Sequence, residues 1–378
     1  MPAIRFLQIH TLHSYTAALL NRDDSGLAKH LPYGGVLRTR ISSQCLKRHW
    51  RTADNDPHAL GKLAGEEQAS FRSRELVTKK VIDPLRGRYP DTVIRVLEPE
   101  FQKIVYGENA AQGKKNRQTL LLGAPELRWL AAQAETLAQK AAEDAGAAKR
   151  AVEAWTKGFK ANIKAMRNQT EMPGGLVAAL FGRMVTSDTA ANIEAPVHVA
   201  HAFTVHAAET ESDYFTAVDD LKDEDDDSGA DTVQEMELTS GLFYGYVVID
   251  LPGLIANCGG NKDLAADIVH NLVYLIAEVS PGAKMGSTAP YDRAGFLLLE
   301  AGDRQPRSLA GAYRKPAEPE LEQASEALAK HLVRLDEAYA TGETRRYLSL
   351  SETALDGAER GTLAELALWA RERVGETQ

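Results

Sequence analysis

Only two cysteines occur in this 378-residue chain, Cys45 and Cys258, and they lie far apart in sequence. That scarcity argues against a disulfide framework or a zinc-ribbon site and fits a reducing cytoplasm. Long apolar runs are missing too. None approaches the roughly 20 residues needed to span a bilayer, and Met1-Pro2-Ala3-Ile4-Arg5 leads straight into an alternating apolar segment rather than a secretory leader. No internal repeat is visible. Aromatics make up 7% of the residues and form no interleaved platform, which counts against a stand-alone single-strand binder that works by base stacking.

Acid is absent from Ser25 to Ala53, where Lys29, Arg38, Arg40, Lys47, Arg48 and Arg51 supply six positive charges. The net charge of the chain is nevertheless −9. The acids gather elsewhere: Glu209 to Asp227 holds ten of them, including Asp219, Asp220 and Asp223 to Asp227, against the single base Lys222. Net charge averages over faces, whereas polyanion binding depends on where charge sits. Such segregation suits a one-faced polyanion binder. With 44% hydrophobic residues, the chain can bury one large core or a core carrying insertions.

Alternation over Ile4 to Tyr15 predicts a strand, followed by a loop at Asn21 to Gly26 and a turn at Pro32-Tyr33-Gly34-Gly35. Val36 to Ile41 reads as a short strand. Ser42 or Ser43 then serves as N-cap of a helix reaching about Ala53. On it Leu46 and Trp50, four apart, face the core, while Lys47 and Arg51, also four apart, share a neighbouring face with Arg48. Ala124 to Lys164 is helical by composition. Val197 to Val205 and Gly241 to Leu251 read as strands, Asp263 to Val279 as a helix, Gly295 to Glu300 as a strand, and about Glu318 to Tyr339 and Leu363 to Val374 as helices. Without the helical insertion the order is strand, helix, strand, strand, helix, strand. That is the α+β, ferredoxin-like arrangement also used by RNA-recognition motifs, a superfold with many functions.

Asn21-Arg22-Asp23-Asp24, then Gly34-Gly35, then Arg40-Ile41-Ser42-Ser43-Gln44-Cys45-Leu46-Lys47-Arg48 resembles the CasC family, the backbone subunit of the type I-E CRISPR Cascade complex. Gly182-Arg183-Met184, His201-Ala202-Phe203-Thr204, Phe215 to Leu221 and Pro281-Gly282-Ala283-Lys284 match in the same order, covering most of the chain up to about residue 300. The resemblance implies an RRM-like palm over 1–60, 196–206 and 242–378, a helical fingers insertion over 61–195 and a thumb hairpin over 207–241. It also implies copies stacked head to tail along one CRISPR RNA, presenting its spacer to target DNA, beside large, small and guide-processing subunits. Neither a metal nor a small cofactor is expected, nor a membrane contact, nor catalysis. Cys45 departs from the family, which has a small hydroxyl residue there.

A guide must be gripped by phosphate and sugar, because its bases have to stay readable. Lys47, Arg48 and Arg51 are the expected phosphate contacts, Ser42 and Gln44 add neutral hydrogen bonds, and Asn21 and Arg22 complete the set. The bland alternatives are surface cations and a helix cap. By the resemblance, Met184 wedges beside a displaced nucleotide, and Phe215 and Thr216 fold over the guide; ordinary core packing is the alternative for Met184. Lys157, Lys160, Lys164 and Arg167 recur at helical spacing and form a candidate DNA-binding stripe, or else a solvated helix face. His198, His201 and His206 alternate faces too unevenly for a zinc site and are expected to be packed or hydrogen-bonded. Asp23 and Asp24 are expected to stabilise a turn. The rival reading is a ferredoxin-like endoribonuclease acting on repeat RNA, with His10, His13 or His49 as general acid or base.

Overall fold

The structure, a computed structural model, describes residues 4–141, 144–157, 172–184, 191–217 and 232–377. Its strands are β1 (Phe6–Ala18), β2 (His30–Tyr33), β3 (Val36–Ile41), β4 (Ser70–Ser73), β5 (Leu120–Gly123), β6 (Val197–Val199), β7 (Ala202–Thr204), β8 (Thr210–Ala217), β9 (Thr232–Asp250), β10 (Phe296–Gly302), β11 (Thr344–Ser349) and β12 (Ala358–Arg360). Two compact units emerge. One comprises Met1–Ala59, His198–Asp250 and Ala266–Gln378; the other comprises Leu60–Val197 and Leu251–Ala265.

The first unit is built on a sheet in the order β12-β11-β10-β1-β9-β7-β3-β2, with β6 and β8 pairing onto β9. β1 runs antiparallel to both β9 and β10, so His10 sits opposite Tyr246 on one side and Leu298 on the other. The four central strands β10-β1-β9-β7 are thus the fourth, first, third and second of the predicted series, and the fold is α+β. The apolar segment predicted at Gly241 to Leu251 is only the second half of β9. Val197 to Val205 is broken into β6 and β7; both pair with β9, and β7 pairs with β3 on its other side.

Both faces of this sheet are covered. On one, Leu46 and Trp50 of the helix Ser43–Arg51 (α1) meet Thr11, Phe243 and Ile276 around a small cavity. On the other, Leu12, Tyr244, Phe296 and Leu298 form a core with Leu309, Tyr313 and the helix Leu321–Tyr339. This second layer comes from the chain after residue 302, which also adds β11 and β12, neither predicted. Tyr244 is 1% exposed, so the aromatics that a bare RNA-recognition sheet would offer to bases are core here.

Beneath that layer lies an ionic cluster. Glu300, fully buried, accepts from His10 Nε2 (2.9 Å), Arg307 Nη1 (2.6 Å) and Nη2 (2.7 Å), and Arg345 Nε (2.7 Å). Burial alone would raise the Glu300 carboxyl's pKa, but the hydrogen bonds and charges of Arg307 and His10 carry it far below the usual carboxylate range. Burial lowers the pKa of His10 against the pull of Glu300. Its neutral ring accepts the Tyr244 hydroxyl at Nδ1 (2.9 Å) and donates from Nε2, the one tautomer that satisfies both partners.

In the second unit, the helices Asp91–Tyr106, Ala124–Ala141 and Ala145–Lys157 bury Ile94, Leu97, Phe101, Leu130, Leu137 and Val152 in one core. A short antiparallel β4–β5 pair accompanies them; Leu120-Leu121-Leu122 is too short a run to separate strand from helix by period. Residues 251–265, which the sequence reading leaves with the palm, belong to this unit. Asn257 anchors them, its amide donating to the carbonyls of Ala179 and Glu194 (2.9 Å each).

Candidate nucleic-acid interface

The acid-free segment folds into a cationic patch on the first unit, around α1. Ser42 caps that helix, its hydroxyl accepting from Cys45 N–H (3.3 Å), while its own N–H donates to Asn21 Oδ1 (2.9 Å). The loop between them is pinned at each step. Asp23 Oδ1 accepts from the N–H groups of Ser25 (2.9 Å) and Leu27 (3.0 Å), Lys29 N–H donates to Asn21 O (3.0 Å), and Arg40 N–H donates to Lys29 O (2.7 Å). Gly34 makes the preceding turn with φ +65°, and a Cβ there would stand 1.7 Å from Arg314 O. Only glycine allows that approach.

Distant motifs close on the same helix. His201, just before β7, accepts Ser43 N–H at Nδ1 (3.1 Å), with Arg40 Nη1 3.3 Å away. Gly282 N–H donates to His49 Nε2 (3.3 Å), and Ala283 N–H to Leu19 O (2.9 Å). Burial raises the Cys45 thiol pKa to about 11, against the lowering charges of Lys29 and Arg48. It is a packed thiol, not a nucleophile.

Asn21 and Ser42 therefore build the site with side chains already occupied, and Ser42 is 6% exposed. Arg22, Gln44 and Arg48 are exposed, and Lys29, Arg40, Lys47 and Arg51 are half-buried. None of Arg22, Lys29, Arg40 and Arg48 forms an ion pair with a described carboxylate. Such cations in the patch hold an anion without first breaking ion pairs of their own. Charges more than about 8 Å away are largely screened at physiological salt, so the negative net charge does not silence it. Arg38 is a correction to the charge count. It is fully buried, donating to the carbonyls of Tyr33 (3.2 Å), Thr204 (3.0 Å) and Tyr313 (2.9 Å). It stitches the sheet edge and faces no ligand. Replacing Ser42 by Ala should cost about 1 kcal/mol, read as a shift in urea midpoint with unchanged slope.

The second unit presents Met184, 77% exposed, so core packing is not its role. Its neighbours fix it. Gly182, at φ +72°, passes within 2.8 Å of Ile193 O where a Cβ would be. Arg183 is buried, donating to Glu126 Oε2 (2.5 Å) and Ala191 O (2.9 Å). Lys157 is exposed at the end of its helix. Lys160, Lys164, Arg167, Asp219, Asp220 and Asp223 to Asp227 lie outside the described residues, as do the side chains of Phe215 and Thr216. The backbone of those last two is in β8, paired with Gln234 and Val233 of β9.

The histidines nominated for chemistry do not converge on one phosphate. His10 is buried in the Glu300 cluster, His13 donates to Ala277 O (3.3 Å), and His49 donates from Nδ1 to Cys45 O (2.9 Å). Of the three weighed for zinc, His206 donates from Nδ1 to Ala207 O (2.7 Å) and accepts Leu242 N–H (3.2 Å). No group of three metal-binding side chains occurs among the described residues, and no described helix is long and apolar enough to cross a membrane.

The sequence model of the CT1975-like protein family matches residues 7–370, almost the entire chain. The chain belongs to the CT1975-like protein family. No match is found among curated proteins. Among the solved structures that share the fold are these two. One, described as a CRISPR RNA-guided surveillance complex, pre-nicking, has a chain 23% identical with a TM-score of 0.79, the match covering 97% of this chain and 100% of that one. The other, described as a CRISPR RNA-guided surveillance complex, has a chain 21% identical with a TM-score of 0.59, covering 97% and 99%. At these identities the likeness establishes the fold. Within this CT1975-like fold, Lys29, Arg40 and His201 join the patch without having been assigned to it from sequence. Lys29 and Arg40 were legible as charge, but the contact of His201 with α1 spans 158 positions and left no local signal.

Proposed function

We propose that the chain is the CRISPR RNA-binding backbone subunit of a type I-E Cascade complex. It polymerises head to tail along the guide and leaves the spacer free to pair with target DNA. The observation that carries this reading is the cationic patch around α1, assembled by segments far apart in sequence, whose charge suits a sugar–phosphate chain. Two further points support it. The sheet faces are closed, which disfavours base stacking there, and two solved chains of this fold come from RNA-guided surveillance complexes. Head-to-tail contacts between identical copies that do not close into a ring generate a helical filament, here one whose length follows the RNA. The partners proposed are CRISPR RNA, further copies of this chain and the large, small and guide-processing subunits. No catalysis is assigned to the chain.

Purifying the protein with its nucleic acid and sequencing what it holds tests this. The expected result is short RNAs of uniform length with repeat-derived ends; random transcript fragments, or none, would reject it. Met184 gives a second check. Since it is exposed, Met184→Ala should change stability by less than about 0.5 kcal/mol while altering the reactivity of the guide at regular intervals. An unaltered pattern would remove it from the interface.

A further inference from the structure

His201 is exposed at the centre of the patch, and both hydrogen bonds described for its ring end on Nδ1. A backbone N–H and a guanidinium can only donate, so Nδ1 must offer its lone pair, and the ring proton sits on Nε2. Burial, then the charges of Arg40, Lys29 and Lys47, lower the pKa of the imidazole. The ring is thus held neutral, in one tautomer, with a single N–H to donate and three cations around it. A cation cluster with a fixed neutral donor at its centre suits an oxygen that already carries negative charge. Such a donor adds direction to an attraction that the lysines and arginines supply without much geometry.

Resting on the guide-binding reading above, we propose that His201 is a further RNA-contacting residue, its Nε2–H donating to a phosphate oxygen of the bound strand. Its bond to Ser43 fixes the ring relative to α1, so the histidine belongs to the same rigid surface as Lys47 and Arg48. A merely structural histidine would serve α1 through Nδ1 alone.

Asparagine separates the two roles, because its amide oxygen reaches the place of Nδ1 but nothing replaces Nε2. With the full chain and a labelled single-stranded RNA, His201→Asn should keep its melting temperature and lose about tenfold in affinity. His201→Gln, whose amide nitrogen reaches the place of Nε2, should lose about threefold or less. In ring-nitrogen NMR of the wild type, the Nε2 resonance should shift on adding RNA. A His201→Asn variant that binds like the wild type, or an Nε2 signal unmoved by bound RNA, overturns the inference and leaves the guide-binding reading standing. A wild-type chain that binds no RNA overturns both.

Discussion

Reversing Lys47, Arg48 and Arg51 to glutamate should abolish RNA retention while leaving the chain folded. Each lost charge-assisted contact is worth about 1.5 kcal/mol or more, so three together cost at least roughly a thousandfold in affinity, before the repulsion of three new carboxylates is counted. Arg48 is exposed, and Lys47 and Arg51 are half-buried beside a helix held by Leu46 and Trp50. The buried Leu46 and Trp50 stay in place in the variant. Acids in the last turn oppose the helix dipole at about 0.3–1 kcal/mol each, so a triple glutamine variant serves as control. It should lose about a thousandfold in affinity, less than the glutamate variant, with a melting temperature within a few degrees of the parent. The salt slope should fall in both, by about 0.9 per phosphate contact removed for a duplex and about 0.7 for a single strand. Retained binding with an unchanged slope would mean that the patch is a solvated surface.

The second large effect is on the fold and should leave RNA binding alone. Glu300→Gln removes the one anion that faces His10, Arg307 and Arg345 together. Breaking a buried pair from one side leaves uncompensated charge and costs about 3–5 kcal/mol, a large share of a domain's stability. Arg345 keeps Asp336 at 2.6 Å and Glu343 at 3.4 Å, so Arg307 bears most of the loss. The cluster lies on the sheet face opposite α1, and the folded fraction should bind RNA as before. Acid acts in the same direction. The Glu300 carboxyl is depressed, so its contribution is fully present above its ordinary pKa of 4.5 and fades as pH falls towards its folded value. The pKa of His10 is also lowered, so the unfolded chain takes up a proton that the folded one refuses, and stability declines below pH 6.5. Urea titrations at several pH values should show both slopes; a Glu300→Gln variant as stable as the parent would contradict this.

Much of the patch was legible because its signals are local. The cap at Ser42, the four-residue spacing of Leu46 with Trp50 and of Lys47 with Arg51, and the absence of acid are all read within one segment. What sequence could not show is set by distant partners. In β3 a simple alternation would bury Leu37 and expose Arg38, yet Leu37 is 52% exposed and Arg38 is fully buried. Three carbonyls from separate parts of the chain meet at Arg38 and compensate its desolvation, an arrangement with no local pattern. The second cover of the sheet escaped for a similar reason. β11 and β12 are short and polar, and take their place only by pairing with β10 and with each other. His201 was visible as part of a motif, but its role follows from a contact with Ser43 that only folding creates.

Chemical probing of the RNA bound to this protein bears on the central claim more directly than any substitution. Hydroxyl radicals report whether riboses are covered, and base-modifying reagents report whether pairing edges are open. The account predicts protected riboses along the strand with pairing edges reactive over most of its length. Covered pairing edges with an open sugar–phosphate chain would contradict it.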